Sequence, residues 1–154
     1  MTMAALIAAL YVVLTYVSSS VGLSGGVIQL RLSEALCILP VYTSAAIPGL
    51  FVGCLVANLT TSAVITDVVF GSIATLLGAV GSYFIGKKHK LLAPIPPIIS
   101  NTVIIPFVLR YAYGAEDALW FMFLTVGLGE VLSCGILGTL MTGVYDRIFQ
   151  GKAK

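Results

Sequence analysis

The sequence predicts an all-α membrane protein, a bundle of six spanning helices. Of its 154 residues, 59% are hydrophobic and only 9% are charged, against about 25% charged in a soluble domain. Mean hydropathy is +1.09. Apolar runs recur along the whole chain with short breaks, and at roughly 20 residues per crossing there is room for about six helices. A single integral membrane unit over residues 1–154 is expected, surrounded by lipid, with no soluble catalytic or nucleic-acid-binding domain. The net charge of +2 reflects where the loops lie and does not signal an anionic partner.

The helices are expected at about 2–20, 33–44, 46–60, 66–86, 93–112 and 118–148. The first apolar run, Met3 to Val17, has no positive flank and is followed by five more, so it reads as a retained helix and not a signal peptide. Val21–Leu32, with Gly22, Gly25 and Gly26, is the longest loop. The second helix is short, bounded by Pro40 and Pro48, and leads into the third through a tight bend at Val41–Ala46. Thr66 and Asp67 open the fourth, where an aspartate cap complements the helix dipole. Pro94, Pro96 and Pro97 suit the first turn of the fifth, and Pro106 is expected to kink it locally.

Orientation follows from basic residues, which favour the cytoplasmic side. Lys87, Lys88 and Lys90 join the fourth and fifth helices, and Arg147, Lys152 and Lys154 end the chain. If six helices alternate, these share one face and both termini are cytoplasmic. Glu116 and Asp117 then lie outside, with Tyr111, Tyr113 and Trp120 in an outer aromatic belt and Tyr145 in an inner one.

Five polar side chains stand out against this apolar background: Glu34, Asn58, Asp67, Asn101 and Glu130. An ionisable group in hydrocarbon costs several kcal/mol, roughly 2.5 to 3.5 on insertion scales, so it needs a partner or a wet cavity. Glu34, Asn58 and Asp67 fall near the outer ends of their helices. Asn101 and Glu130 are deeper, Glu130 being about 15 Å below Trp120 at 1.5 Å per residue. The pattern describes a cup open to the outside with an apolar floor. Asp67 shares its face with Gly71, Thr75 and Gly78, and Glu130 has Gly127, Cys134 and Gly138 nearby, so small residues leave space beside the acids. Arg31 either pairs with Glu34 at i+3 or forms part of a lid.

Other features carry less. Ala4, Ala5, Ala8 and Ala9 make two overlapping A-x-x-x-A pairs, a smooth face suited either to close packing within the bundle or to docking on another membrane protein. Gly81 to Lys88 nearly spells a phosphate-binding loop, but Lys88 replaces the hydroxyl residue and the run ends a membrane helix. Any ATP-driven work thus requires a partner, and no cofactor of the chain's own is expected. Cys37, Cys54 and Cys134 fit no metal or redox spacing and read as buried free thiols. Asn58-Leu59-Thr60 is a chance sequon, and His89 lies alone in a basic loop. No intramembrane enzyme has the side chains it needs here, since a second aspartate, a dyad or a metal cluster is lacking.

The stretch Val27-Ile-Gln-Leu-Arg-Leu-Ser-Glu-Ala-Leu-Cys-Ile-Leu-Pro40 resembles the second-helix signature of the QueT family. Ala46-Ile-Pro-Gly-Leu-Phe-Val-Gly-Cys-Leu-Val-Ala-Asn58, Asp67-Val-Val-Phe-Gly-Ser72 and Gly129-Glu130 are similar to its further blocks. The resemblance implies the six-helix fold of the substrate-binding (S) components of energy-coupling factor (ECF) transporters, in a bacterial cytoplasmic membrane. It implies uptake of a queuosine precursor, and partners consisting of a transmembrane T component, against which the alanine face would dock, and two ATPase subunits that alone use ATP. The residue chemistry agrees with a deazaguanine: carboxylates accept its adjacent N–H donors and a carboxamide satisfies the neighbouring carbonyl. Phe70, one turn from Asp67, and Tyr16 are the expected stacking surfaces for a flat ring. A proton-coupled carrier using Glu130 or Asp67, or an S component for another vitamin, remains the alternative.

Overall fold

The computed structural model describes residues 2–23, 28–61 and 64–150, and every regular element among them is helical. Helix α1 is Thr2–Ser20, α2 is Leu32–Val41, α3 is Ala46–Thr61, α4 is Ile65–Lys88 and α5 is Ile95–Tyr111, preceded by a single turn at Lys90–Leu92. The last helix, α6, runs in three segments: α-helical Leu119–Glu130, π-helical Val131–Leu137 and α-helical Gly138–Gln150. Four stretches are long and apolar enough to cross a bilayer, Thr2–Ser20, Ile65–Lys88, Lys90–Tyr111 and Leu119–Phe149, while Leu32–Val41 and Ala46–Thr61 are shorter apolar helices. Six helices of this kind fit a membrane bundle. Ser24–Val27, with Gly25 and Gly26 of the expected loop, lie outside the described residues, as do Lys152 and Lys154.

Helix α2 is the axis. It packs against α1, α3, α4 and α6, and every residue from Ser33 to Pro40 is buried. Its geometry is 3₁₀, with about 2.0 Å rise per residue, so its 10 residues reach roughly 20 Å where an α-helix would reach about 15 Å. The slimmer coil also suits a position surrounded by neighbours. Around it α1 adjoins α3, α3 adjoins α4, α4 adjoins α5 and α5 adjoins α6.

Close approach at these crossings depends on small residues, since lipid-immersed helices gain little from apolar burial and associate through packing and hydrogen bonds. A Cβ on Gly49 would stand 2.8 Å from the Ala4 carbonyl oxygen, and one on Gly53 would stand 3.0 Å from the Ala8 Cα. Ala4 and Ala8 therefore belong to the internal α1–α3 crossing, a correction to their expected place on a docking face. Ala5 and Ala9 stay exposed. The α4–α5 crossing works the same way, with Gly78 against Pro97, and Ser82 Oγ donates to the Ala93 carbonyl at 2.6 Å.

Two further expectations are corrected. Cys37 and Cys134 form a disulfide between α2 and α6; only Cys54 is a free buried thiol. Spacing could not reveal the pair, because the partners lie 97 residues apart and meet only when α6 packs on the axis. Asp67 is not the cap of α4: Val64 holds that position without a side-chain bond, and Asp67 falls in the first turn, where a negative charge still complements the dipole. The Gly81–Lys88 run is helical throughout, consistent with its rejection as a phosphate loop.

Candidate substrate-binding site

Two polar chambers open among the six helices. The inner one has a volume of about 20 Å³ and is lined by Gln29, Arg31, Glu34, Gly71, Thr75, Asn101, Ile105, Val126 and Glu130. It has room for about one water. The outer one, about 400 Å³, is bordered by Thr15, Ser19, Gln29, Arg31, Asn58, Thr61, Asp67, Ile105, Leu109 and Tyr113. Gln29, Arg31 and Ile105 belong to both and mark the junction.

The side chains are held from several helices at once. On α1, Tyr11 is 1% exposed and its hydroxyl donates to Glu34 Oε1 at 2.6 Å. This bond fixes one carboxylate oxygen of the axial helix. Below the acids, the disulfide joins α2 three residues after Glu34 to α6 four residues after Glu130, tying the two acid-bearing helices together one turn beneath the chamber. Asn101 lines the chamber beside the Glu130 carboxylate. One oxygen of that carboxylate, Oε2, is buried and has no hydrogen-bond partner. Buried polar atoms are nearly always satisfied, so an orphan acceptor calls for an explanation.

The outer chamber is organised by Asp67, whose Oδ2 accepts from the Tyr113 hydroxyl at 3.0 Å. Asn58 Nδ2 reaches the Asp67 carbonyl at 3.4 Å and Cys54 Sγ at 3.5 Å, and Thr75 Oγ1 donates to the same sulfur at 3.2 Å. Gly71 makes this possible: a Cβ there would lie 2.8 Å from Asn58 Nδ2. The segment before α2 is pinned over the site. Leu30 N bonds the Leu23 carbonyl at 2.9 Å, Arg31 N bonds Ser133 Oγ at 3.2 Å and Leu32 N bonds Ser18 Oγ at 2.8 Å. Gly129, lacking a side chain, admits the Gln29 backbone against α6 next to Glu130 in the chain.

The structure thus brings Glu34, Asn101 and Glu130 together in the inner chamber, Asn58 and Asp67 together in the outer one, and Arg31 between them. It does not bring in Phe70 or Tyr16. Phe70 is 48% exposed and lines a separate apolar groove with Val103, Phe107 and Tyr111, because the α4 positions facing the chambers are Asp67, Gly71 and Thr75. Tyr16 is 44% exposed and borders neither chamber. The apolar surfaces at hand are Ile105, Val126 and Leu109, with the Tyr113 ring as the flat one. Tyr11, Thr15, Gln29, Ile105 and Ser133 escaped the sequence reading. Tyr11, Thr15 and Ser18 do form a polar stripe at i, i+4 and i+7, a signal that could have marked the inward face of α1. No cluster of metal-binding side chains occurs among the described residues.

An all-helical bundle with apolar outer faces enclosing an acid-rich chamber defines a polytopic membrane protein that handles a small molecule. The QueT transporter family model matches residues 1–147, and the chain belongs to that family. No curated protein and no solved structure matches it.

Proposed function

We propose that the chain is the substrate-binding S component of an ECF transporter, capturing a 7-deazaguanine queuosine precursor (such as preQ1, preQ0 or queuine) for ATP-driven uptake. In this reading the outer chamber opens to the outside of a bacterial plasma membrane and both termini are cytoplasmic. A T component and two ATPase subunits supply the energy. The observation that carries the ligand assignment is the unpartnered Glu130 Oε2, buried beside Glu34 and Asn101. Such a site has a carboxylate acceptor to spare. The 2-amino-4-oxo edge of a deazaguanine offers two adjacent N–H donors to a carboxylate and a carbonyl to a carboxamide, and a cationic aminomethyl substituent adds a second attraction for acids. An outer chamber of about 400 Å³ falls in the size range of small-molecule sites.

The test is isothermal titration of the purified chain, without partners, with 7-aminomethyl-7-deazaguanine, 7-cyano-7-deazaguanine, queuine, riboflavin and thiamine. Saturable binding of at least one deazaguanine and of neither vitamin is expected. Binding of a vitamin with no response to any deazaguanine would overturn the assignment.

A further inference from the structure

The inner chamber as it stands cannot take a ring: about 20 Å³ is the space of one water. A ligand entering from the outer chamber must pass the junction formed by Gln29, Arg31 and Ile105 to reach Glu130. Of these three, Arg31 alone carries charge. It borders the inner chamber together with Glu34 and Glu130 and the outer one together with Asp67, so one guanidinium stands among three acids. Yet among the described residues no carboxylate lies within 4.0 Å of it, the one ion pair being Lys90 with Asp146 at the far end of the bundle. The Arg31 backbone, by contrast, is fixed on Ser133 Oγ. The side chain thus stands at the junction without a close ion pair, on an anchored stem.

A guanidinium and the N1–C2–N2 edge of a deazaguanine are the same kind of donor. Each is planar and presents parallel N–H groups that fit a carboxylate two at a time. We infer that Arg31 is a tethered stand-in for the substrate, occupying the junction between the chambers with its guanidinium and giving way when a ligand brings a donor edge of the same shape to the acids. Arg31 is then a specificity-determining residue. A ligand without a guanidine-like edge leaves the acids with neither partner, so displacing Arg31 gains it nothing. This inference rests on the deazaguanine reading for its ligand, but the cradle for a guanidinium group is a property of the chain that can be probed separately.

Two variants and two probes test it. In Arg31→Ala the competitor is gone, and affinity for 7-aminomethyl-7-deazaguanine is expected to tighten about tenfold, as it does when a site is freed from an occupied state holding most of the population. Ethylguanidinium at millimolar concentration should raise the melting temperature of Arg31→Ala and leave the parent unchanged, since only the variant has a vacant cradle. Arg31→Lys, which keeps the cation but loses the planar fork, covers the case in which Arg31→Ala does not fold; it too should bind the deazaguanine more tightly. Weaker or unchanged binding in the folded variants would overturn the inference, because Arg31 would then be a ligand contact or a bystander. Equal response of parent and Arg31→Ala to ethylguanidinium would overturn it as well. Stabilisation of Arg31→Ala alone by ethylguanidinium, with no deazaguanine bound by any form, would support the stand-in and overturn the ligand reading. Failure of both probes would overturn both.

Discussion

Replacing Glu130 by glutamine separates two effects of the same buried carboxylate. The side chain keeps its size and a carbonyl oxygen on the chamber wall it shares with Asn101. What changes is the second oxygen, Oε2, which is buried without a partner. Breaking a charge-assisted hydrogen bond to ligand there should weaken binding by roughly 1.5–3 kcal/mol, or about ten- to a hundredfold at 1.4 kcal/mol per decade. The ligand-free protein should respond in the opposite direction. A carboxylate with one oxygen buried and unbonded and, among the described residues, no cation within 4.0 Å carries a desolvation penalty of several kcal/mol that an amide does not, so the melting temperature of the unliganded variant should rise. Titration calorimetry and thermal unfolding on one preparation give both readouts. Affinity within about twofold of the parent, or a fall in unliganded melting temperature, would refute the reasoning: the first because Glu130 would not touch the ligand, the second because its charge would be stabilising the empty bundle.

Two further outcomes follow from the packing. Ala5→Trp and Ala9→Trp, on the exposed side of α1, should fold and bind ligand normally while abolishing uptake in cells with an energising module; Ala8→Trp, whose backbone meets Gly53, should instead lower the melting temperature. Preserved uptake in both exposed-side variants would place the partner surface elsewhere. Denatured without reductant, the protein should take up maleimide at Cys54 alone, and at all three cysteines after reduction. Removing the cross-link by Cys37→Ser should cost about 2–4 kcal/mol of stability, and unchanged thermal unfolding would show that the bridge carries no such load.

How far the sequence could be read depended on what fixes each feature. Helix count and approximate limits were legible, because hydropathy and the prolines at 40, 48, 94, 96 and 97 act locally: 2–20 against Thr2–Ser20, and 118–148 against Leu119 to Gln150. The five polar residues were legible for the same reason, since a buried acid in an apolar run is conspicuous wherever it lies. What neighbours each residue would meet was not. Nothing local distinguishes Ala4 and Ala8 from Ala5 and Ala9, and only the glycines at 49 and 53 on a different helix decide which pair turns inward. The same holds for Tyr11, whose hydroxyl has meaning only once Glu34 is 2.6 Å away. Phe70 was misplaced because a single turn along α4 separates it from Asp67 in sequence while the polar face runs through Gly71 and Thr75.

The departures from α-geometry fall where the site is. Glu34 lies near the start of the 3₁₀ helix, and Glu130 is the residue immediately before the π segment of α6. Irregular turns free backbone groups that hydrocarbon would leave unsatisfied, and they survive in a membrane only where protein or water covers them. Here α2 is covered on all sides by other helices, and the π segment begins against the chamber, with Ser133 Oγ accepting from Arg31 N. A widened turn also changes which way the residues on either side of it face. Had α6 continued as an α-helix, Ser133 and Cys134 would point in directions set by the 3.6-residue period from Glu130. The π turn lets Glu130 face the chamber, Ser133 reach the strap before α2 and Cys134 reach Cys37. One irregular turn thereby joins the acid, the Arg31 anchor and the cross-link, which is the physical reason that the inner chamber is built on these two helices.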